Sequence, residues 1–394
     1  MGDSSRPRSR LIAALFAIGL IITLCSCTQQ RPTQAAQAGE PAVARPICGE
    51  LSTVGEGADA ISVIKLWGTP YEMGYAHGKL CSEKIKAFYG RIIGAMTVGM
   101  NVDPKVLDAA WAQMEPFVAE HHIEELKGLA DGAGIDLQMV QRAHAVPDLS
   151  EFHCTFFAAF GQATKDGKLH QIRALDYEMR AGIQDEPALV VYKPEGHNAF
   201  VQVGWVGFIG CISGMNDKQI AVSEIGEHFS DDVETLAGEP MPLVMRRALE
   251  EANTLDEGIQ VFKSAHRTSS YLYCVGDGKI PDARKLRTSK DFCEIYGPGE
   301  QGDATLPNVV YWSMGVDSRW NKRVHDVLKA KLGQIDENVG MQDIMGGLGT
   351  GNLHAVHYVP GDLELWVANA TPAPENAPAY DQEFVHFSLA EALK

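Results

Sequence analysis

The sequence is short of basic charge, has no Cys-x-x-Cys pair and, past Leu24, has no apolar run long enough to cross a bilayer. With 34 Lys and Arg against 51 Asp and Glu, its net charge is −17. That deficit excludes nucleic acid as a partner, because binding there is driven by basic surface. It also excludes electrostatic attachment to an anionic membrane. The missing Cys-x-x-Cys removes the commonest zinc frame. His121 and His122 lie among Glu120, Glu124 and Glu125 and read as a solvated helix face, since adjacent side chains diverge. His354 and His357, three apart on a strand, fall on opposite faces. No metal centre and no cofactor is expected. Gly347-Leu348-Gly349-Thr350-Gly351 is not followed by Lys-Ser/Thr and has no βαβ unit around it, so it reads as a flexible loop. Ser213, flanked by Gly210 and Gly214, lacks the Gly-x-Ser-x-Gly spacing of a hydrolase elbow.

What is present begins with Arg6, Arg8 and Arg10 ahead of the apolar run Leu11 to Leu24, the layout of a secretory signal. Its end, Leu24-Cys25-Ser26-Cys27, resembles the lipobox of bacterial lipoproteins. Residues 1–26 are then a signal peptide and Cys27 the lipidated first residue of an exported cell-envelope lipoprotein, held to the membrane by its lipid. An uncleaved anchor or a plain signal are the other readings. Residues 27–45, rich in Gln, Ala, Pro and Thr, form a flexible tether. Residues 1–26 carry three Arg and one Asp, so the charge without them is −19.

The remainder reads as one domain. Strand Ile61 to Leu66 precedes helical patterns from Tyr71 to Met96, Pro104 to Ala130 and Leu137 to Ala145, with Asp103 and Asp136 as caps. Residues 46–153 are thus mainly helical. Strands follow at Thr155 to Ala163, Leu169 to Leu175, Ala188 to Tyr192, Ala199 to Phe208 and Ile220 to Ile225, read as an antiparallel meander. Helices are expected over Met241 to Asn253 and Leu255 to Ala265, a strand over Tyr271 to Gly276 and a helix over Asp317 to Leu332. A hairpin from His354 to Tyr358 and Leu363 to Ala368 closes the chain, while the polar stretch Asp277 to Asp303 has no assigned structure. The order points to an α+β fold of antiparallel sheets with helices outside.

The centre of this pattern is a hairpin turning at Asp166-Gly167, where Gly supplies the positive φ of a tight turn. Cys154 opens its first strand, and Arg173 and Asp176 close its second. Folding back brings the three near one another. Arg173 and Asp176, three apart, cannot share a face of a regular strand. Beside Cys154, the chain holds Cys48, Cys81, Cys211, Cys274 and Cys293 after the first two cysteines. Their spacing identifies no disulfide.

On these residues the chain resembles the cysteine branch of the N-terminal nucleophile (Ntn) hydrolases. The likeness is to the acyl-coenzyme A:6-aminopenicillanic acid acyltransferase (isopenicillin N acyltransferase) group, to which the choloylglycine (bile-salt) and penicillin V amidases are related. Gly74-x-x-x-Gly78 is similar to that group's propeptide region, Cys154-Thr155 to its nucleophile and Arg173-x-x-Asp176-Tyr177 to its Arg-Asn-x-Asp-aromatic motif. Gly214-Met215-Asn216-Asp217-Lys218 resembles its Gly-x-Asn-x-x-Gly turn, and Ser318-Arg319-Trp320 a Ser-Arg-aromatic segment of the amidases. The resemblance implies a four-layer αββα sandwich over residues 154–394, preceded by the helical propeptide-like segment. It also implies self-cleavage between His153 and Cys154, which frees an α-amine on the nucleophile itself. With an ordinary pKa of about 7.7–8.0, that amine can accept the thiol proton. Arg173 would stabilise the thiolate and Asp176 orient the amine. The substrate class implied is a small-molecule N-acyl amide or acyl donor, cleaved through a thioester.

The sequence departs from the pattern at His153, where Gly is frequent, and at Ala174, where Asn is usual. The family's oxyanion Asn is missing from Arg267-Thr268-Ser269-Ser270-Tyr271-Leu272, leaving Asn216 and Arg319 as possible oxyanion or substrate contacts. A catalytically inactive surface-binding lipoprotein and a papain-like cysteine protease with a distant histidine base are the other readings.

Overall fold

Short alternating segments become strands wherever one side can be buried, and two sheets collect them. The structure is a computed structural model that describes residues 46–149, 153–179, 182–226, 234–300, 306–313 and 319–394. The expectations for the signal peptide, Cys27 and the tether lie outside the described residues. In chain order the strands are β1 (Gly49–Val54), β2 (Ile61–Gly68), β3 (His153–Ala159), β4 (His170–Asp176), β5 (Pro187–Pro194), β6 (Phe200–Trp205), β7 (Ser213–Asn216) and β8 (Ile220–Gly226). They continue with β9 (Tyr271–Asp277), β10 (Asp282–Thr288), β11 (Cys293–Tyr296), β12 (Val309–Ser313), β13 (His354–Val359), β14 (Glu364–Asn369) and β15 (Val385–Ser388). One sheet has nine strands in the order β1-β2-β5-β6-β7-β8-β9-β10-β11, the other six in the order β12-β3-β4-β13-β14-β15. All neighbours pair antiparallel except β2 and β5, which are parallel.

The sheets stack face to face over Val63, Leu189, Val203, Val356 and Val367. A hydrogen bond from Gln171 Nε2 to Ser223 Oγ (2.9 Å) crosses between them. Helices α1 (Pro70–Gly94), α2 (Pro104–Met114), α3 (Glu120–Ala133), α4 (Leu137–Leu149), α5 (Met241–Glu251) and α6 (Leu255–Ser264) share an apolar core with the nine-stranded sheet. Helix α7 (Arg319–Ala330) and the π turn Val339–Gly346 cover the six-stranded one. The result is the helix-sheet-sheet-helix order of an αββα sandwich.

Helix α1 starts in a reciprocal cap of Thr69 and Glu72, and α2 on Asp103, whose carboxylate accepts from the Lys105 amide at 2.9 Å. Helices α1 and α3 touch backbone to backbone through Gly74, Gly78, Gly128 and Gly132. A Cβ on Gly74 would lie 2.0 Å from the Glu125 carbonyl. Among the described residues no helix is long and apolar enough to cross a membrane.

Four expectations need correction. The meander divides: β3 and β4 belong to one sheet, β5, β6 and β8 to the other. The helix from Pro104 to Ala130 breaks at the turn Glu115–Phe117, where Pro116 lacks an amide hydrogen to donate. The polar stretch after Asp277 supplies β10 and β11. His121 and His122 do not form a solvated face, because His122 and Glu125 are buried and both rings meet Glu250.

Candidate active site

The hairpin forms as its turn dictates. Gly167 takes φ +78°, and Asp166 accepts from the Lys168 amide at 3.0 Å. Its register sets His153 opposite Asp176, Cys154 opposite Leu175 and Phe156 opposite Arg173. Residues directly opposite share a face. Cys154 and Arg173 therefore look to the same side, and Asp176, at the strand's end, to the other.

Arg173 is fully buried. Its Nη2 donates to Cys154 Sγ at 3.4 Å and forms an ion pair with Glu224 of β8. Its Nε reaches the Glu224 carbonyl at 3.4 Å, and its Nη1 lies 3.3 Å from His354 Nε2. A guanidinium only donates, so that imidazole nitrogen is an acceptor and the ring is neutral. Burial, then the Arg173 charge, holds His354 well below the usual histidine range. Ser213 Oγ lies 3.1 Å from the same nitrogen. Burial pushes the Cys154 thiol far up; the Arg173 charge opposes the rise, and the negative charge of Glu224 adds to it. In the uncut chain the group is a thiol at neutral pH.

Asp176 is cradled from the opposite side. Thr350 Oγ1 donates at 2.7 Å, the Gly351 amide at 2.8 Å and the Asn352 amide at 2.9 Å. Burial raises its carboxyl and these donors oppose the rise. Gly351, at φ +89°, lets the backbone present its amide there. The Gly347–Gly351 segment read as a flexible loop is thus the holder of Asp176.

The other predicted residues separate from this centre. Asn216 donates to the Leu249 and Ala252 carbonyls at 2.8 Å each and accepts from the Lys218 and Ile220 amides, which ties a turn to the end of α5. Its amide is fully engaged and offers nothing to an oxyanion. Arg319 begins α7; Ser318 and the side chains of Arg319 and His153 lie outside what the structure describes. In the segment lacking the family Asn, Thr268 donates to Asp148 at 2.7 Å, while the Ser269 and Ser270 hydroxyls are buried without a hydrogen-bond partner.

Glu224, His354 and Thr350 to Asn352 are members that the sequence reading missed, and Ser213 one that it set aside. Glu224 had a signal: a carboxylate inside the apolar run Ile220 to Ile225 needs a buried partner. His354 had none, since only strand pairing of β13 with β4 brings it over. None of the six described cysteines is joined in a disulfide.

Beside Arg173 and Glu224 lies a cavity of about 60 Å³ with otherwise apolar walls, among them Trp205 and Phe208. Phe88 and Ile92 of α1 and Val146 and Pro147 of α4 close it from the helical segment.

No family model matches the chain. It is similar to protein dcd1A of Dictyostelium discoideum, 24% identical over 86% of this chain and 88% of that protein. Protein dcd1B of the same organism is 24% identical over 87% of this chain and 77% of its own length. Among solved structures it is similar to a Caenorhabditis elegans N-acylethanolamine-hydrolyzing acid amidase ortholog, at TM-score 0.42 and 16% identity over 60% of this chain and all (100%) of that one. A penicillin V acylase from Agrobacterium tumefaciens gives TM-score 0.40 and 11% identity over 56% of this chain and 84% of the other.

Proposed function

We propose that the protein is an amidohydrolase of the Ntn type, with Cys154 as nucleophile, made active by cutting its own His153-Cys154 bond. The observation that carries this reading is the junction itself. Cys154 Sγ sits 3.4 Å from a buried guanidinium, and a firmly held carboxylate, Asp176, stands across the strand pair from His153. Once that bond is cut, the nitrogen of Cys154 becomes a terminal amine beside Asp176.

Self-cleavage runs as an N-to-S shift. Sγ attacks the His153 carbonyl carbon, the thiol proton passes to the departing nitrogen, and water then cleaves the thioester to a His153 carboxylate and a free thiol. The new amine changes the chemistry of the site. It accepts the thiol proton, and Arg173 stabilises the thiolate. The thiolate attacks a substrate amide carbon, the ammonium returns its proton to the leaving amine, and water releases the acyl group from sulfur. Oxyanion stabilisation, for which each donor is worth about 2.7–4 kcal/mol, falls to donors other than Asn216, whose amide is engaged by the Leu249 and Ala252 carbonyls.

The apolar cavity next to Arg173 supports an N-acyl amide with an apolar acyl part as substrate. Transfer to a second amine in place of water is the same reaction with another acceptor. A papain-like reading is disfavoured by His354, whose Nε2 faces Arg173 and Ser213. The Leu24 to Cys27 segment supports export as a lipoprotein.

Intact-mass measurement tests this. Two fragments, beginning at Cys27 and Cys154, are expected from the wild type. Cys154→Ala should give a single chain and lose essentially all turnover of an N-acyl amide panel. An unchanged fragment pattern and turnover in that variant would refute the reading.

A further inference from the structure

A second buried cluster lies in the outer helical layer. His121 and His122 open α3, and the Nε2 atoms of both lie 3.1 Å from one atom, Glu250 Oε2 of α5. All three ligand atoms lie within 4.8 Å of one another. Zinc with bonds of about 2.0–2.1 Å in a tetrahedron spaces its ligand atoms about 3.3–3.4 Å apart. Both histidine-to-glutamate separations already lie within tenths of an ångström of that spacing, and the two ring nitrogens, at most 4.8 Å apart, have the remaining distance to close. The other Glu250 oxygen accepts from Arg246 Nε at 2.8 Å, which fixes the carboxylate's orientation. Arg246 in turn holds Glu125 in a two-bond fork, at 2.9 and 2.5 Å.

The charges do not balance. Two carboxylates, Glu125 and Glu250, face one guanidinium, all of them at most 2% exposed. A buried excess of negative charge is costly unless a further cation or a proton meets it. Two imidazoles aimed at the same carboxylate oxygen are the donor set that a divalent zinc-type ion takes, two nitrogens and one oxygen. His121, at 26% side-chain exposure, opens the cluster to solvent on one side, which provides an entry path and room for a water ligand.

We infer that His121, His122 and Glu250 form a zinc-type metal site that joins the helical segment ahead of Cys154 to the part of the chain behind it. The site stands apart from Cys154 and does not depend on whether the His153-Cys154 bond is cut. Its ion bridges two pieces of chain and takes no part in the amide chemistry.

The test uses the full chain as purified, stripped with chelator and returned to zinc alone, then to cobalt alone. One zinc per chain is expected, with a higher melting temperature. Cobalt should show the visible absorption of a four-coordinate nitrogen and oxygen site with no thiolate charge-transfer band. His121→Ala, at the exposed edge, should keep its circular dichroism and lose about tenfold or more in zinc affinity. Three results would each overturn the inference: no stoichiometric uptake, uptake of equal affinity in His121→Ala, or a thiolate band placing the metal on cysteine. If the missing positive charge is instead a protonated histidine, zinc leaves the melting temperature unchanged.

Discussion

The molecule builds two buried clusters from the same ingredients, a fully enclosed arginine, glutamate and histidine, and they differ in charge balance and in what they join. Around Arg173 one glutamate matches one guanidinium, and the extra member is a thiol. Around Arg246 two glutamates outnumber the guanidinium, and the extra members are two histidines. The first cluster joins the two sheets at the Cys154 thiol. The second joins helix α3 to helix α5, with Arg246 stacked 4.4 Å above the Tyr192 ring. A buried ion pair is common to both clusters, and what sets the Arg173 cluster apart as the proposed active site is a thiol within reach of the cation and a second anchored group at the same peptide bond.

Substitutions can break this comparison at several points. Asp176→Asn keeps an acceptor for the Gly351 and Asn352 amides but removes the charge proposed to orient the new amine. Cleavage and amide turnover should fall about 10²–10⁴-fold with folding nearly unchanged, as read by mass and single-turnover kinetics. Equal rates would place Asp176 with the purely structural carboxylates. Glu224→Gln strands Arg173 and should cost about 3–5 kcal/mol of stability. Glu125→Gln leaves Arg246 its bond to Glu250 and should cost only about 1–3 kcal/mol; urea unfolding of both variants reads the contrast. Gly74→Ala forces a Cβ against the Glu125 carbonyl and should cost about 1–3 kcal/mol. Its damage should reach the Arg246 cluster and spare the chemistry at Cys154, so a lowered melting temperature with unchanged kcat is the expected pair.

A further effect is one of pH. Burial raises Asp148, at the border between the clusters, to about 6. Its unfolded value is about 3.9, so the folded state loses stability as pH rises from there through 6, by at most about 1.4 kcal/mol per unit. Asp148→Asn retains an acceptor for Thr268 and the Met241 amide and removes that decline. Unfolding at pH 4.5 and pH 7 should show the variant gaining on the wild type at the higher pH.

Much of the hairpin and of the helix starts was legible, because Asp166-Gly167 and Asp103 act through their own neighbours. Sheet membership was not, since period-two alternation looks alike in either sheet. Strands β10 and β11 hid behind charge. Lys285 is almost wholly buried with its ammonium 4.3 Å above the Trp312 ring, and burial lowers it to about 8. A lysine in a strand core reads as polar chain. At the site, Cys154, Arg173 and Asp176 share one hairpin and could be found together. Glu224 and His354 arrive on other strands, and only packing assigns them. His121 and His122 were misread because Glu250, which draws both rings to one side, comes from a helix more than a hundred residues later.

The edge of the nine-stranded sheet has a further consequence, for how the protein must be made. Strands β1 and β2 precede the proposed cut, yet β2 pairs with β5 and together they finish the sheet. Without them β5, buried along most of its length, would present a bare hydrophobic rim to other chains. If the proposed cut takes place, residues 46–153 act as a built-in template before it and stay as a one-to-one partner of the remainder after it. Production of residues 154–394 alone should yield aggregates.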